Sequence, residues 1–268
     1  NTFFNGVKHN IKVKGINCSV DDIADYLTQG SELPEFENSI CKYTKANYAV
    51  GVNSGTSALH LACRALGLNK GDILWTSAIT FASSANCGLF CGASVDFVDI
   101  DPLNWNLSLL QLENKLELAK SKGMLPKILI VVHFCGLPCH LQKIYNLCKK
   151  YGIFLIEDAC HALGAKYQGD PIGSGVYSDV TTFSFHPVKS ITTGEGGMVV
   201  FKQKHLYEKA AAWHDPSTTS EQSLSSVHSV VIVSVISSGE TFPESTSPGT
   251  VTSLQARART PKMTLVTR

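Results

Sequence analysis

The residues of this chain best suited to chemistry stand just past three apolar runs. The run "TTFSF" is followed by His186-Pro187-Val188-Lys189 and then by "SITTGEGG". A lysine close to a sheet and flanked by small residues can lose hydration, which lowers its pKa and makes the neutral amine a nucleophile. The competing reading is a lysine on a solvated loop, with Gly194, Gly196 and Gly197 forming a plain turn. The run "IFLIE" is followed by Asp158, in the otherwise apolar or small stretch "IEDACHALGA", where an acid buried without a partner is costly. Asp158 is therefore either a helix cap or the partner of a cationic group, and His161, three residues on, can lie on the same side. The run "YAVGV" is followed by Asn53-Ser54-Gly55-Thr56-Ser57. Small residues there would expose backbone N–H groups at the positive end of a helix, which makes an anion site. Ser54 and Thr56 also read as ordinary N-caps.

One cofactor suits all three positions. Pyridoxal 5′-phosphate needs an anion site for its phosphate, a carboxylate to keep its pyridine nitrogen protonated as an electron sink, and a lysine for an aldimine. Its ring also calls for an aromatic face, which Phe81 in "SAITFASSAN" can supply unless that ring simply packs in the core. The "GEGG" stretch is not a nucleotide fingerprint, and no GxxxxGK[ST] occurs in the chain.

Such positions need a scaffold that gathers strand ends, and the patterning predicts one. Helical signals in "PEFENSICKYTKA", "SGTSALHLACRALG", "TFASSANCGLFCG", "SLLQLENKLELAKSKG", "HLQKIYNLCKKYG" and "KQKHLYEKAAAW" are interspersed with short apolar strands. Those strands are "YAVGV", "DILWTS", "SVDFVDI", "KILIVVH", "IFLIED", "TTFSF" and "GMVVF". This alternation predicts an α/β fold with a mostly parallel sheet and helices on both faces. Ligands of such sheets bind outside the carboxyl ends of the strands, where the three positions lie. The texture changes near residue 214: the remaining stretch is more than a third Ser and Thr and carries one apolar patch, "VVIVSVI". Residues 214–268 therefore read as a disordered tail, in which that patch could pair as an edge strand.

The bulk numbers narrow the function classes. A formal charge of +1 argues against binding nucleic acid or a membrane surface through bulk electrostatics. No stretch approaches the roughly 18 continuous apolar residues that span a bilayer. The opening "NTFFNGVKHNIKVKG" has no apolar core of a signal peptide, and the lack of an initiating Met makes a fragment the expectation. The nine cysteines, all between Cys18 and Cys160, read as reduced thiols of a cytoplasmic protein. Several, at Cys63, Cys87, Cys91 and Cys148, fall on helix faces as small hydrophobes. The sequons at Asn17 and Asn106 are then chance matches. The cluster His133, Cys135, Cys139 and His140 fits no usual zinc spacing, so no metal is expected.

At this point the chain resembles a known family, the DegT/StrS sugar aminotransferases, pyridoxal-phosphate-dependent enzymes of fold type I. The resemblance rests on "NYAVGVNSGTSALHLACRALGL", "GDILWTSAITFASSANCGLFCGASVDFVDID", "VVHFCGLPC", "LIEDACHALGAKYQGDPIGS" and "SDVTTFSFHPVKSITTGEGGMVV". It covers about residues 28–213. The wording of "SFHPVKSITTGEGG" is nearest the branch that aminates UDP-4-keto-6-deoxy-N-acetyl-altrosamine. The resemblance implies that Lys189 forms the internal aldimine and shuttles the proton between Cα of the amino donor and C4′ of the cofactor. It implies that Asp158 pairs with the pyridinium nitrogen, that Phe81 covers the ring, and that Thr56, Ser57 and Ser184 hold the phosphate. His161 would lie near the phenolic oxygen. Glu195, and Thr28 with its neighbours Leu27 and Gln29, would face the substrate.

The implied reaction moves the amino group of L-glutamate to a nucleotide-linked 4-keto-6-deoxy sugar, in a homodimer whose partner adds an asparagine to the phosphate site. The implied organisation is an N-terminal arm over 1–27, a cofactor-binding large domain over 28–213, and no small C-terminal domain, since nothing after Trp213 matches. That departure sustains an alternative: a truncated, non-catalytic homologue or a partner subunit of a full-length chain. A sugar dehydratase of the same fold carries histidine at the lysine position, so Lys189 opposes that reading.

Overall fold

The structure is a computed structural model that describes residues 32–214, together with the backbone of a short antiparallel pair, β1 (Lys12–Val13) and β2 (Ile16–Asn17). Apart from that pair, the expected arm over 1–27, Leu27, Thr28 and Gln29, and the expected tail beyond 214 fall outside the described residues. Helix α1 (Glu32–Thr44) leads into β3 (Tyr48–Val52), α2 (Gly55–Ala65), β4 (Ile73–Ser77), α3 (Ser83–Phe90) and β5 (Ser94–Val98). Next come α4 (Leu109–Ser121), β6 (Ile128–Val132), α5 (Leu141–Tyr151) and β7 (Phe154–Asp158). A hairpin of β8 (Lys166–Tyr167) and β9 (Asp170–Pro171) precedes β10 (Val180–Ser184), β11 (Gly197–Phe201) and α6 (Lys204–His214).

The predicted strands and helices are present, with two local differences. Helix α3 starts at Ser83 rather than at Thr80, leaving Phe81 on a bend before it. The β8–β9 hairpin turns through Gln168 (φ 51°) and Gly169 (φ 90°), both left-handed, as a two-residue turn between right-twisted strands requires. Gln168 gives no turn signal in the sequence, so that hairpin was not expected.

Seven strands form one sheet in the order β3-β11-β10-β7-β6-β4-β5. Strands β10, β7, β6, β4 and β5 run parallel, whereas β11 is antiparallel to both β10 and β3. Alternation along each strand divides the core between two faces. Val50, Leu74, Ile130, Ile156, Val180 and Val199 pack with α2, α3 and α6 on one face. Ile40, Leu112, Leu129, Val131, Ile144 and Leu155 belong to the other, with α1, α4 and α5. Helix α4 opens at Ser108, whose side chain accepts from Gln111 N–H, and Asn106 is buried with its amide bonded to Leu137 O and Phe134 N–H. Both are thus occupied by structure, which accounts for the Asn106 sequon without glycosylation.

This topology sends several chain segments to one end of the sheet. Val52, Ser77, Asp158 and Ser184 are the last residues of β3, β4, β7 and β10, and Gly197, the first of antiparallel β11, pairs with both Val52 and Ser184. A Cβ on Gly197 would collide with the backbone of Ser54 and Gly55, so glycine here lets the start of α2 press onto the sheet. Gly197→Ala should lower stability by about 1–3 kcal/mol, a fall in Tm of about 2–12 °C for a domain of this size. Calorimetry of the two proteins checks this, and an unchanged Tm would mean that the contact relaxes freely.

Candidate active site

The acid at the end of β7 is placed by strand alternation. Leu155 and Glu157 face α4 and α5, whereas Ile156 and Asp158 face α2 and α3. Asp158 is 5% exposed, and no helix follows it, so it caps none. Its Oδ2 accepts from Ser84 Oγ at 2.8 Å and its Oδ1 from Cys160 N–H at 3.2 Å. A carboxylate with both oxygens engaged is satisfied despite its burial, which answers the cost that an unpartnered acid would carry.

Lysine 189 sits on a loop closed by Phe185. Phe185 N–H donates to Gly196 O at 2.9 Å, and its own carbonyl accepts from Thr193 N–H and Thr192 Oγ. The Phe185 ring is buried and meets Phe36 edge-on at 4.9 Å, which ties the loop to the core. A turn from Lys189 N–H to His186 O then brings the lysine back over the sheet end, where it is half-buried. Its Nζ lies 2.6 Å from His161 Nε2. One of the two nitrogens must offer a lone pair to the proton between them, so this contact does not form between a charged amine and a charged imidazole. Partial burial and the Lys189 charge both pull the His161 pKa down, and Asp158 only partly opposes them.

The third strand end is an anion-ready helix start. Ser54 is the N-cap of α2, accepting from Ser57 N–H at 3.2 Å, and the helical ladder begins with Ala58 N–H to Ser54 O. The N–H groups of Gly55 and Thr56 therefore have no acceptor within the helix. Thr56 is not a cap: its Oγ1 pairs with Ser83 Oγ at 2.6 Å. Ser57 Oγ donates to Asn53 Oδ1 at 2.5 Å. An added Cβ on Gly55 would stand 2.9 Å from Ser184 Cβ and 3.1 Å from Cys160 Sγ, so α2, β7 and β10 converge there.

The structure thus brings Thr56, Ser57, Asp158, His161, Ser184 and Lys189 to one end of one sheet. Phe81 is 75% exposed on the bend before α3, which rules out core packing for its ring. Glu195 lies on the lysine loop, exposed, with Oε1 3.8 Å from His186 Nε2. Thr28 lies outside the described residues. The sequence reading missed Thr80, Ser83, Ser84 and Cys160, and the only signal for the serines was hydroxyls crowded at a helix start in "TFASSAN". The His133 cluster resolves differently from a metal centre. His133 Nδ1 accepts from Cys139 N–H, and its Nε2–H is therefore left to donate to Glu157 Oε2 at 2.9 Å. Among the described residues no group of three metal-binding side chains is gathered.

The Lys189–His161 contact has a titration signature. Removing a neighbouring positive charge raises a histidine's pKa, so in Lys189→Ala the His161 ring should titrate at higher pH than in the wild type. Ring-proton NMR measures this, and an unchanged midpoint would exclude the lysine as a cause of the depression.

With this geometry in view, comparison with known proteins is direct. The profile of the DegT/DnrJ/EryC1/StrS aminotransferase family matches residues 15–237. A UDP-4-amino-4,6-dideoxy-N-acetyl-beta-L-altrosamine transaminase of Campylobacter jejuni is 45% identical over 185 residues, 69% of this chain and 47% of that protein. A GDP-perosamine synthase of Escherichia coli O157:H7 is 39% identical over 182 residues, 68% of this chain and 48% of that one. Among solved structures, Helicobacter pylori PseC, an aminotransferase of pseudoaminic acid biosynthesis, superposes with TM-score 0.64 and 31% identity over 70% of this chain and 49% of its own. The "putative sugar aminotransferase Spr1654" of Streptococcus pneumoniae in its PLP form gives TM-score 0.62 and 27% identity, covering 72% of this chain and 52% of its own. The chain spans about half the length of the curated relatives it matches. The chain therefore belongs to the DegT/DnrJ/EryC1/StrS aminotransferase family.

Proposed function

We propose that this chain carries the cofactor-binding part of a pyridoxal-phosphate-dependent aminotransferase that moves the amino group of L-glutamate to a nucleotide-linked 4-keto-6-deoxy sugar. The observation that carries the reading is the gathering of an amine, Lys189, and a doubly anchored carboxylate, Asp158, beside the open start of α2. The donor set fits the cofactor's three demands. Unsatisfied N–H groups of Gly55 and Thr56, with the Thr56, Ser57 and Ser184 hydroxyls, suit a phosphate. Asp158 suits a ring nitrogen, Lys189 an aldehyde, and the exposed Phe81 ring the cofactor's flat face.

When bound, pyridoxal phosphate supplies an aldehyde that condenses with amines and a protonated ring that accepts the electron pair released at the amino donor's Cα. The chain's own residues do the rest. Asp158 keeps the proton on the ring nitrogen, and its two hydrogen bonds stop it from turning away. Ser57 releases Asn53 Oδ1 to turn its proton toward the phosphate, and Ser83 can donate to Thr56 so that the threonine hydroxyl is free to do likewise. Lys189 Nζ takes the proton from the donor's Cα, with His161 Nε2 at 2.6 Å as the neutral base that shares it. Thr28 and Glu195 belong to the sugar side of the site in this reading.

The reading extends to a cytoplasmic homodimer that shares its sites, with no nucleic-acid or membrane partner. Among the described residues no helix is long and apolar enough to cross a membrane.

Borohydride reduction of the protein incubated with pyridoxal phosphate, followed by peptide mapping, tests the central assignment. The label should appear on the peptide holding Lys189 and vanish in Lys189→Ala; a label elsewhere, or none, would sink the assignment. Adding L-glutamate should convert bound cofactor to its amine form. Labelling at Lys189 without that conversion is the outcome expected of a non-catalytic homologue.

A further inference from the structure

Helix α3 begins with two serines that look in different directions. Ser83 Oγ meets Thr56 Oγ1 at 2.6 Å, on the helix start assigned to phosphate, and Ser84 Oγ donates to Asp158 Oδ2 at 2.8 Å. Neither serves as the helix's N-cap, a position held by Ala82 with no side-chain cap bond. Both serines are buried, Ser84 completely. Thr80 Oγ1 donates to Ser84 Oγ at 2.8 Å. That bond uses an acceptor site of the serine and leaves its single proton for Asp158. A serine hydroxyl can rotate freely, so without Thr80 its proton could go to any acceptor; with Thr80 its direction is set. The chain Thr80–Ser84–Asp158 also runs through the bend that carries Phe81, whose carbonyl accepts from Ser84 N–H at 3.0 Å.

We infer that Ser84, oriented by Thr80, is a positioning residue that holds Asp158 ionised and aimed, so that the shared proton resides on the cofactor's ring nitrogen rather than on the carboxylate. This rests on the assignment of pyridoxal phosphate to the site. The physical ground is that a hydrogen bond donated to a carboxylate favours its charged form. A proton shared between Asp158 and a pyridine nitrogen is thereby pushed toward the nitrogen. Loss of the Ser84 hydroxyl leaves the buried Oδ2 with no donor from the protein and makes the carboxylate the better base. The proton then moves toward Asp158, and the ring becomes a poorer electron sink.

The experiment uses the full chain loaded with pyridoxal phosphate labelled with ¹⁵N in the ring, whose nitrogen shift separates protonated from neutral pyridine. Wild type, Ser84→Ala, Ser84→Thr and Thr80→Val are compared, with Asp158→Ala marking the shift expected when the carboxylate is gone. Ser84→Ala should move the shift from the wild-type value toward that of Asp158→Ala. Ser84→Thr, which keeps the hydroxyl, should restore it, and Thr80→Val, which frees the serine to rotate, should fall between. Where amine transfer from L-glutamate is measurable, the loss in Ser84→Ala should fall on kcat rather than KM, by about 10-fold for a single hydrogen bond to a charged group. If Ser84→Ala and Thr80→Val load cofactor yet keep the wild-type shift, the inference is overturned while the cofactor assignment stands. If the wild-type protein takes no cofactor at Lys189, the assignment falls and the inference with it.

Discussion

Two buried acids in adjacent positions of one strand set the terms for this molecule. Glu157 and Asp158 end β7 at the centre of the sheet, 2% and 5% exposed, and each must find donors because water is excluded. The pleat turns them to opposite faces. Glu157 is met by His133 Nε2–H and by the hydroxyls of Ser178 and Thr181. Asp158 is met by Ser84 and the Cys160 N–H. The polar residues around β7 are thereby committed in two groups, one holding the sheet's far face and one facing the site. Two carboxylates adjacent in sequence thus end up on opposite faces of the sheet, and only their neighbours distinguish them.

The antiparallel strand β11 does a second job of placement. A parallel strand in its position would present its carboxyl end here, whereas β11 presents its first residue, a glycine, between the ends of β3 and β10. That bare backbone admits the start of α2, with Ser54 directly over Gly197, and Gly55 in turn admits Ser184 and Cys160. Close approach propagates from glycine to glycine, which is why the hydroxyls at the start of α2 and the β7 acid share one end of the sheet. The last glycine of the "GEGG" stretch thus serves packing, since its missing side chain makes room for the backbone of Ser54 and Gly55.

Much of this was legible beforehand because it is local. Helix periodicity in "SGTSALHLACRALG" and apolar runs such as "KILIVV" need only their own residues to declare themselves, and both appear as elements. The strand ends at Asp158 and Ser184 follow from the same pattern. Less legible were features in which one residue serves two accounts. Ser54 and Thr56 look alike as caps in sequence, yet Ser54 caps α2 while Thr56 reaches α3. Phe81 reads in sequence either as an aromatic face for a ligand or as core, and its exposure on the segment before α3 removes the second reading.

What the sequence determined by itself is the order of elements, the face each strand residue takes, and which polar residues fall at strand ends. Those depend on periods of 2 and 3.6 residues that any short window contains. What only the tertiary structure decided is who meets whom. Ser84 lies 74 positions from Asp158, and Lys189 lies 28 from His161. Such pairs exist because hydrogen bonds act over about 3 Å, a separation fixed by strand order, and strand order is a property of the packed sheet that no single segment encodes.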